Sequence, residues 1–468
     1  MNTWETRGSL GVMRSALVAG CFLLIGFLAT YAVLAPAPKP ATAPAAEFSA
    51  LRAIEHSKAT ALEPHPMGTA ANDAVRGYIA ARLKEMGVEV EEQPARHLRG
   101  NTVRVSTNVI GRIPGTANSK AFCLMAHFDS TPYGPGAADD GAGVVAMLET
   151  VRALKAGPPL KNDVVFLFTD GEEAGQPGAE AFMRSPWADR VGVILNFEAR
   201  GTSGPSMMFE TSPGNGWLIP EAAKAGVHIR ACSMMYNVYK MMPFNSDFSE
   251  AKKRGLKGFN VAFIDGFCRY HTKNDTPENM SLASLQNHGS YALGLARHFG
   301  NLPLDGDLVK PDLVYFNTVG SHMVWYPMAW SGPIAWAAAL VFALTLLLGL
   351  VRGRLTVPGF LGGVLVLALT ALACGLAVLV ALGAVYGPGK LYAQYTTNIT
   401  HLPDLVALNH NTLYGWAFAA LAAGVFVACY QGLCRRMRTA NLAAGALAWW
   451  AAGTLAIQYF MPGGSYAA

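Results

Sequence analysis

Charge is scarce in this 468-residue sequence. Asp, Glu, Lys and Arg make up 14% of it, against about a quarter of an ordinary soluble domain, so a chain that faces water along its whole length is excluded. Cysteine is scarce too, and seven residues cannot staple a chain this long into a disulfide scaffold. With 52% hydrophobic residues the chain is neither disordered nor a coiled coil. Neither sign of charge dominates, and a net charge of +5 is too mild to point to nucleic acid.

What is abundant is long apolar runs. Ser15 to Ala35 is uncharged, and four more runs follow at about Pro333–Val351, Phe360–Val385, Leu413–Leu433 and Leu442–Tyr459. Each is near the ~20 residues that a helix needs to cross the hydrocarbon core. Between Ala35 and Trp325 the composition is ordinary and mixed. The expected plan is a short N-terminus (1–14), a membrane anchor (15–35), a tether (36–50), an α/β domain (51–310), a linker (311–332) and a four-helix transmembrane region (333–468). The first apolar run exceeds the core of a signal peptide, and Pro36 directly follows it, which favours an uncleaved anchor.

Lys and Arg near the runs set the orientation. Arg7 and Arg14, Arg352 and Arg354, and Arg435, Arg436 and Arg438 all fall on one side when the runs alternate. The other side has only Lys39 and Lys390. The N-terminus is therefore expected in the cytoplasm, with the large domain facing the periplasm of a bacterium or the lumen of a eukaryotic compartment. Membrane lipid is thus an expected partner, and the oligomeric state is open.

Pro36 to Ala46 (PAPKPATAPAA) reads as a semi-rigid, extended tether. Cys123, Cys232 and Cys268 belong to the exported domain; a Cys232–Cys268 bridge and three buried thiols are the alternatives. Within the domain, Ala74–Met86 has helical periodicity, with Val75, Ile79, Leu83 and Met86 on one face. Ala121–Phe128, Asp163–Thr169, Val191–Glu198 and Gly258–Ile264 are short apolar runs that suit fully buried strands. Asp140–Leu154 and Ser281–His298 read as helices between and after them. Alternating strands and helices predict a mostly parallel sheet with helices on both faces, whose ligands bind beyond the carboxyl ends of the strands.

Polar residues gather at those ends. They are His127-Phe128-Asp129, Asp139-Asp140-Gly141, Asp170-Gly171-Glu172-Glu173, Glu198-Ala199-Arg200 and Tyr270-His271-Thr272, with Asp275 just after. Each alone has a plain reading: a core histidine, a helix N-cap with its turn, a solvated loop. Together they bring two imidazoles and several carboxylates to one sheet edge, where so much negative charge repels itself unless cations bind. Mixed imidazole and carboxylate donors suit Zn²⁺.

On these motifs, from His65-Pro66-Met67-Gly68-Thr69 to Phe299, the chain resembles the co-catalytic zinc exopeptidases. That family includes leucyl aminopeptidases, glutamate carboxypeptidase II and glutaminyl cyclases. Within it, the branch of the endoplasmic reticulum metallopeptidase and the vacuolar membrane protease is most similar. The resemblance implies two zinc ions per chain and a peptide substrate. One zinc would be held by His127, Asp139 and Glu198, the other by Asp139, Glu173 and His271. It places the general base at Glu172 and a carboxylate that orients His127 at Asp129. The soluble aminopeptidases carry Asp where Glu198 stands, which puts the first zinc position in question.

The chemistry implied is hydrolysis by a zinc-activated water, with Glu172 moving its proton to the leaving amine. Tyr270 is a candidate donor to the developing oxyanion, or a buried aromatic with a satisfied hydroxyl. Arg200, two residues after Glu198, either takes a substrate carboxylate in its fork or neutralises the acidic cluster, the second being preferred. The leading expectation is a membrane-anchored zinc aminopeptidase. A glutaminyl-cyclase-like acyltransferase and a non-catalytic receptor on the same fold are the alternatives. The complete ligand set and base argue against both.

Overall fold

The computed structural model describes residues 34–386, 411–434 and 437–467 apart from 100, 101, 118 and 319–321, together with 17, 20–21 and 23–28. The expected first span, 15–35, falls only partly within the described residues, and the segment 387–410 carrying Lys390 falls outside them, as do Arg7, Arg14, Arg435 and Arg436. The chain divides into two compact units, Met1–Trp325 and Tyr326–Ala468.

The first unit is built on an eight-stranded mixed sheet. Its strands are β1 (Glu89–Arg99), β2 (Thr102–Ile113), β3 (Ala121–His127), β4 (Val164–Thr169), β5 (Val191–Ala199), β6 (Met207–Thr211), β7 (Arg230–Ala231) and β8 (Lys257–Phe263), in the spatial order β1-β2-β4-β3-β5-β8-β6-β7. The central four, β4-β3-β5-β8, are mutually parallel and coincide with the four apolar runs of the sequence. Every residue of β3 and β4 is buried, as strands covered on both faces require.

Helices α1 (Ala50–Thr60), α2 (Ala70–Glu85), α3 (Gly141–Lys155) and α6 (Leu282–Phe299) cover one face. Alternate residues of β3, Phe122, Leu124 and Ala126, join their core. Cys123 and Met125 point the other way, into a smaller core with Phe182 of α4 (Pro177–Arg184) and Phe248 of α5 (Asp247–Lys253). The chain leaves β3 for its neighbour β4 on one side and leaves β5 for β6 on the other, a reversal that opens a crevice at the carboxyl ends. His127 and Glu198, at the ends of β3 and β5, face that crevice.

Three features depart from expectation. The long β1–β2 hairpin was not legible, because β1 (EVEEQPARHLR) is charged and holds Pro94. Proline is tolerated there because β1 is an edge strand. The segment 36–50 is no free tether. Arg52 bonds the carbonyls of Ala41 and Ala43, Arg152 those of Ala45 and Glu47, and Arg297 that of Ala46. Phe48 and Ser49 are fully enclosed, so the proline-rich backbone, poor in internal donors, is held by arginine donors of the domain. Finally, Cys232 and Cys268 are both free thiols. Cys232 caps a helix and bridges to Phe316, whereas Cys268 sits in a 3₁₀ turn, which places them on separate elements.

In the second unit, helices α7 (Ser331–Val351), α8 (Val357–Tyr386), α9 (Asn411–Cys434) and α10 (Thr439–Phe460) match the four later apolar runs. Among the described residues these four are long and apolar enough to cross a membrane, with mean hydropathies of 2.5, 2.8, 1.3 and 1.3. Gly445 packs against the backbone at Gly363, where a Cβ would meet the Gly363 carbonyl carbon at 2.4 Å. Such small-residue contacts bring helices close in lipid.

Candidate metal centre

Four strand ends and one loop deliver the polar residues to a single place. His127 ends β3, and Asp139 lies in the turn that leads into α3. Glu172 and Glu173 follow β4, Glu198 belongs to β5, and His271 follows β8. His271 adopts a left-handed backbone (φ 56°), a conformation a non-glycine residue holds at a cost when its surroundings demand it.

Asp139 stands in the middle. Its Oδ1 lies 3.5 Å from His127 Nε2, and its Oδ2 lies 3.0 Å from His271 Nε2. Glu198 Oε2 is 4.0 Å from His127 Nε2, and Glu173 Oε1 is 2.9 Å from His271 Nε2. Donor atoms of His127, Asp139 and Glu198 lie within 4.8 Å of one another, as do those of Asp139, Glu173 and His271. A third such group joins His127 to Glu172 and Glu173. The residues anticipated for two metal positions are thus brought together, with Asp139 common to both.

The supporting shell is more specific than the sequence suggested. His127 Nδ1 donates to the backbone carbonyl of Asp129 at 3.0 Å, while the Asp129 carboxylate is 3.5 Å away. That carboxylate instead accepts the amides of Gly171, Glu172 and Glu173 at 2.8, 2.9 and 3.2 Å. Asp129 therefore fixes the imidazole with its backbone and the Glu172–Glu173 loop with its side chain. Gly171 makes that turn at φ 90°, and a Cβ there would strike Met67 Sδ at 2.5 Å.

Two partners were given no role by the sequence. The Asp275 carboxylate accepts the amides of Ala138 and Asp139 at 2.8 and 3.2 Å and so positions the Asp139 turn. His288, buried within α6, donates from Nε2 to the Glu198 carbonyl at 3.2 Å. Asp275 follows His271 closely enough to be noticed, but a histidine inside an apolar helix reads as core.

The electrostatics fit a cation. Burial raises the pKa values of Glu172, Glu173 and Glu198, and neighbouring carboxylates add to the rise. Burial opposes charge on His271 as well, but bonds to Asp139 and Glu173 outweigh it and push this imidazole up to about 10. The buried Asp140 Oδ2 has no hydrogen-bond partner among the described residues. Four carboxylates around two imidazoles, all largely out of water, make a donor set that suits a bound divalent cation.

Comparison with known proteins shows what the chain is similar to. Residues 108–296 match Peptidase family M28. That stretch is similar to the M28 peptidases. Its endpoints enclose His127, Asp139, Glu172, Glu173, Glu198 and His271. Mouse endoplasmic reticulum metallopeptidase 1 is 31% identical over 230 residues, 47% of this chain and 26% of that protein. The vacuolar membrane protease of Eremothecium gossypii is 30% identical over 301 residues, 57% of this chain and 28% of that protein. The chain thus spans little more than a quarter of the length of these curated relatives. Among solved structures, an aminopeptidase from Aneurinibacillus sp. strain AM-1 is 15% identical with a TM-score of 0.47, covering 57% of this chain and 97% of that one. A Porphyromonas gingivalis glutaminyl cyclase is 21% identical with a TM-score of 0.43, covering 53% and 96%.

Around the candidate metal centre, Tyr270 stacks on His271, with ring centroids 3.7 Å apart and planes 20° from parallel. No hydrogen bond is made by its hydroxyl among the described residues, and burial raises its pKa. Arg200 does not pair with the acidic cluster. Its guanidinium lies 3.8 Å from the ring of Phe244 and 5.5 Å from that of Tyr270.

Proposed function

We propose that the protein is a membrane-anchored zinc aminopeptidase that hydrolyses peptides on the extracytoplasmic side of its membrane. The observation that carries this reading is the placement of Asp139 between His127 and His271, with Glu172 beside both groups. His127, Asp139 and Glu198 would hold one zinc, and Asp139, Glu173 and His271 the other. Zinc bound there supplies an acidified water and polarises the scissile carbonyl.

The remaining work falls to the chain itself. The Glu172 carboxylate takes the proton of the attacking water and returns it to the leaving amine. Its loop is held in place through the Asp129 carboxylate, which keeps that proton transfer short. The Tyr270 hydroxyl, with no protein partner among the described residues, donates to the oxyanion as it forms. The aminopeptidase end preference is carried by the family resemblance, and the orientation by the Lys and Arg residues flanking the apolar runs.

The deciding experiment measures metal content of the purified full chain together with hydrolysis of aminoacyl chromogenic substrates, beside their N-acetylated counterparts. Near two zincs per chain and chelator-sensitive release from the free-amine substrates alone are expected. Cleavage of the N-acetylated series would overturn the aminopeptidase assignment, and a metal-replete protein that cleaves neither series would overturn the peptidase. A reporter fused after Ala468 is expected outside the cytoplasm; a cytoplasmic readout would overturn the orientation.

A further inference from the structure

Two arginines of the first unit are consumed by structure. Arg152 bonds Glu149 and the carbonyls of Ala45 and Glu47, and Arg112 bonds Asp163 and Glu89. Arg200 is different. Among the described residues its guanidinium makes neither an ion pair nor a hydrogen bond, although Glu198 stands only two residues before it. The carboxylates of the metal centre face His127 and His271 instead.

The position of Arg200 is nevertheless well defined. Its backbone amide donates to the Phe263 carbonyl at 3.0 Å, which carries the β5–β8 pairing one residue past Ala199. Arg200 itself stands at the bend that follows β5. Phe244 and Tyr270 then flank the guanidinium, and Tyr270 stacks in turn on His271. The order Phe244, Arg200, Tyr270, His271 ends on a residue of the metal centre.

A planar fork packed against aromatic faces keeps its edge, and therefore its five N–H donors, available to a ligand. Such a fork matches a carboxylate in bidentate fashion. Because the arrangement is preassembled, little rotamer freedom is left to lose on binding. Neutralising the acidic cluster, the preferred reading of the sequence, would need contacts that the guanidinium does not make.

We propose that Arg200 recognises a substrate carboxylate beside the scissile bond, so that the favoured substrates are peptides whose residue after that bond bears a carboxylate. The proposal rests on the peptidase reading. The carboxylate has two sources, the free C-terminus of a dipeptide or the side chain of Asp or Glu.

The test uses the zinc-loaded full chain in detergent and three peptides: leucyl-alanine, leucyl-alaninamide and leucyl-glutamate α-amide. The wild type is expected to prefer a carboxylate-bearing peptide over leucyl-alaninamide by roughly 10- to 100-fold in kcat/KM, the usual worth of hydrogen bonds to a charged group. A preference for leucyl-alanine alone assigns the C-terminal carboxylate, and one for the glutamate peptide alone assigns the side chain. Arg200→Gln should bring the ratio close to one, and Arg200→Lys, which keeps charge but not the fork, should restore it only in part. Equal wild-type rates, or an unchanged ratio in Arg200→Gln, would overturn the proposal. Should either variant lose its metal or its melting transition, the other is used for the ratio. Calorimetric Kd values for leucyl-alanine and leucyl-alaninamide, measured on Glu172→Gln with and without Arg200→Gln, do not depend on turnover. If the wild type cleaves nothing, the peptidase reading falls, whereas a Kd preference that Arg200→Gln erases upholds the carboxylate site and equal Kd values sink it.

Discussion

The two carboxylate oxygens of Asp139 serve different imidazoles, Oδ1 lying 3.5 Å from His127 Nε2 and Oδ2 3.0 Å from His271 Nε2. One side chain is therefore common to both ligand groups. Asp139→Ala should lower metal content at both positions, whereas His271→Ala should lower it at one. Elemental analysis of the two purified variants checks this. Equal stoichiometry in the pair would remove Asp139 from its bridging role.

Glu172 belongs to the third ligand-competent group, but the other two groups are complete without it. Its amide is anchored by Asp129, and its Oε1 accepts from Gln176 Nε2 at 3.2 Å. Glu172→Gln should keep metal and fold while losing about 10²–10⁴-fold in kcat, the usual worth of a positioned acid–base. Normal turnover in this variant would exclude Glu172 as the base.

Asp129 touches no expected substrate atom, yet it accepts three loop amides while 1% exposed. Asp129→Ala leaves those N–H groups without their acceptor, at about 1–3 kcal/mol for each that stays dry. Urea unfolding should show a loss of that order, and activity should fall further than stability alone explains, because the Glu172 loop loses its anchor. A fully active, equally stable variant would contradict this account.

A buried polar chain runs away from the metal centre. Asn196 Nδ2 donates to Glu198 Oε1 at 3.2 Å and to Asn260 Oδ1 at 3.0 Å. Asn260 Nδ2 donates to Glu210 Oε2 at 3.1 Å, and Glu210, fully buried, is ion-paired with Lys252. Lys252→Met strands the Glu210 charge and should cost about 3–5 kcal/mol. Adding Glu210→Gln removes that charge and should recover much of the loss, as chemical denaturation of the single and double variants would reveal.

His56 of α1 offers a pH signature remote from the metal centre. Its Nδ1 is 2.7 Å from the Tyr78 hydroxyl. Burial lowers its pKa, with Arg82 adding to the fall and Glu149 and Glu55 opposing it. Below the unfolded value near 6.5 the unfolded chain binds a proton that the folded chain resists. The His56 contribution is thus complete above about pH 6.5 and is lost as the pH falls towards the folded value. His56→Gln should make the stability–pH slope shallower between about pH 6.5 and 5, a window set by that unfolded value. An unchanged slope would show that His56 does not titrate in this window.

The sequence by itself determined what is local. Unbroken apolar runs such as AFCLMAH and VVFLFT can only be strands or helices buried on all sides, and their length and β-branched or aromatic content make them strands. Runs near 20 residues mark the membrane helices by length alone. Residues at the carboxyl ends of parallel strands must then share one edge, so His127, Asp139, Glu172, Glu173, Glu198 and His271 could be named together.

Tertiary structure decided what depends on partners distant in sequence. Asp139 is aimed by Asp275, 136 residues away, and residues 41–47 are held down by Arg52, Arg152 and Arg297. No periodicity encodes such pairings. The same holds for the edge hairpin β1–β2, whose charged, proline-containing strand gains its order from the register with β2. Arg200 makes the point most sharply: its type and spacing fit a neutralising role equally well, and only the packing of Phe244 and Tyr270 around it leaves its donors open. Composition and spacing select a residue's chemistry, while the three-dimensional neighbourhood selects which of its possible partners it meets.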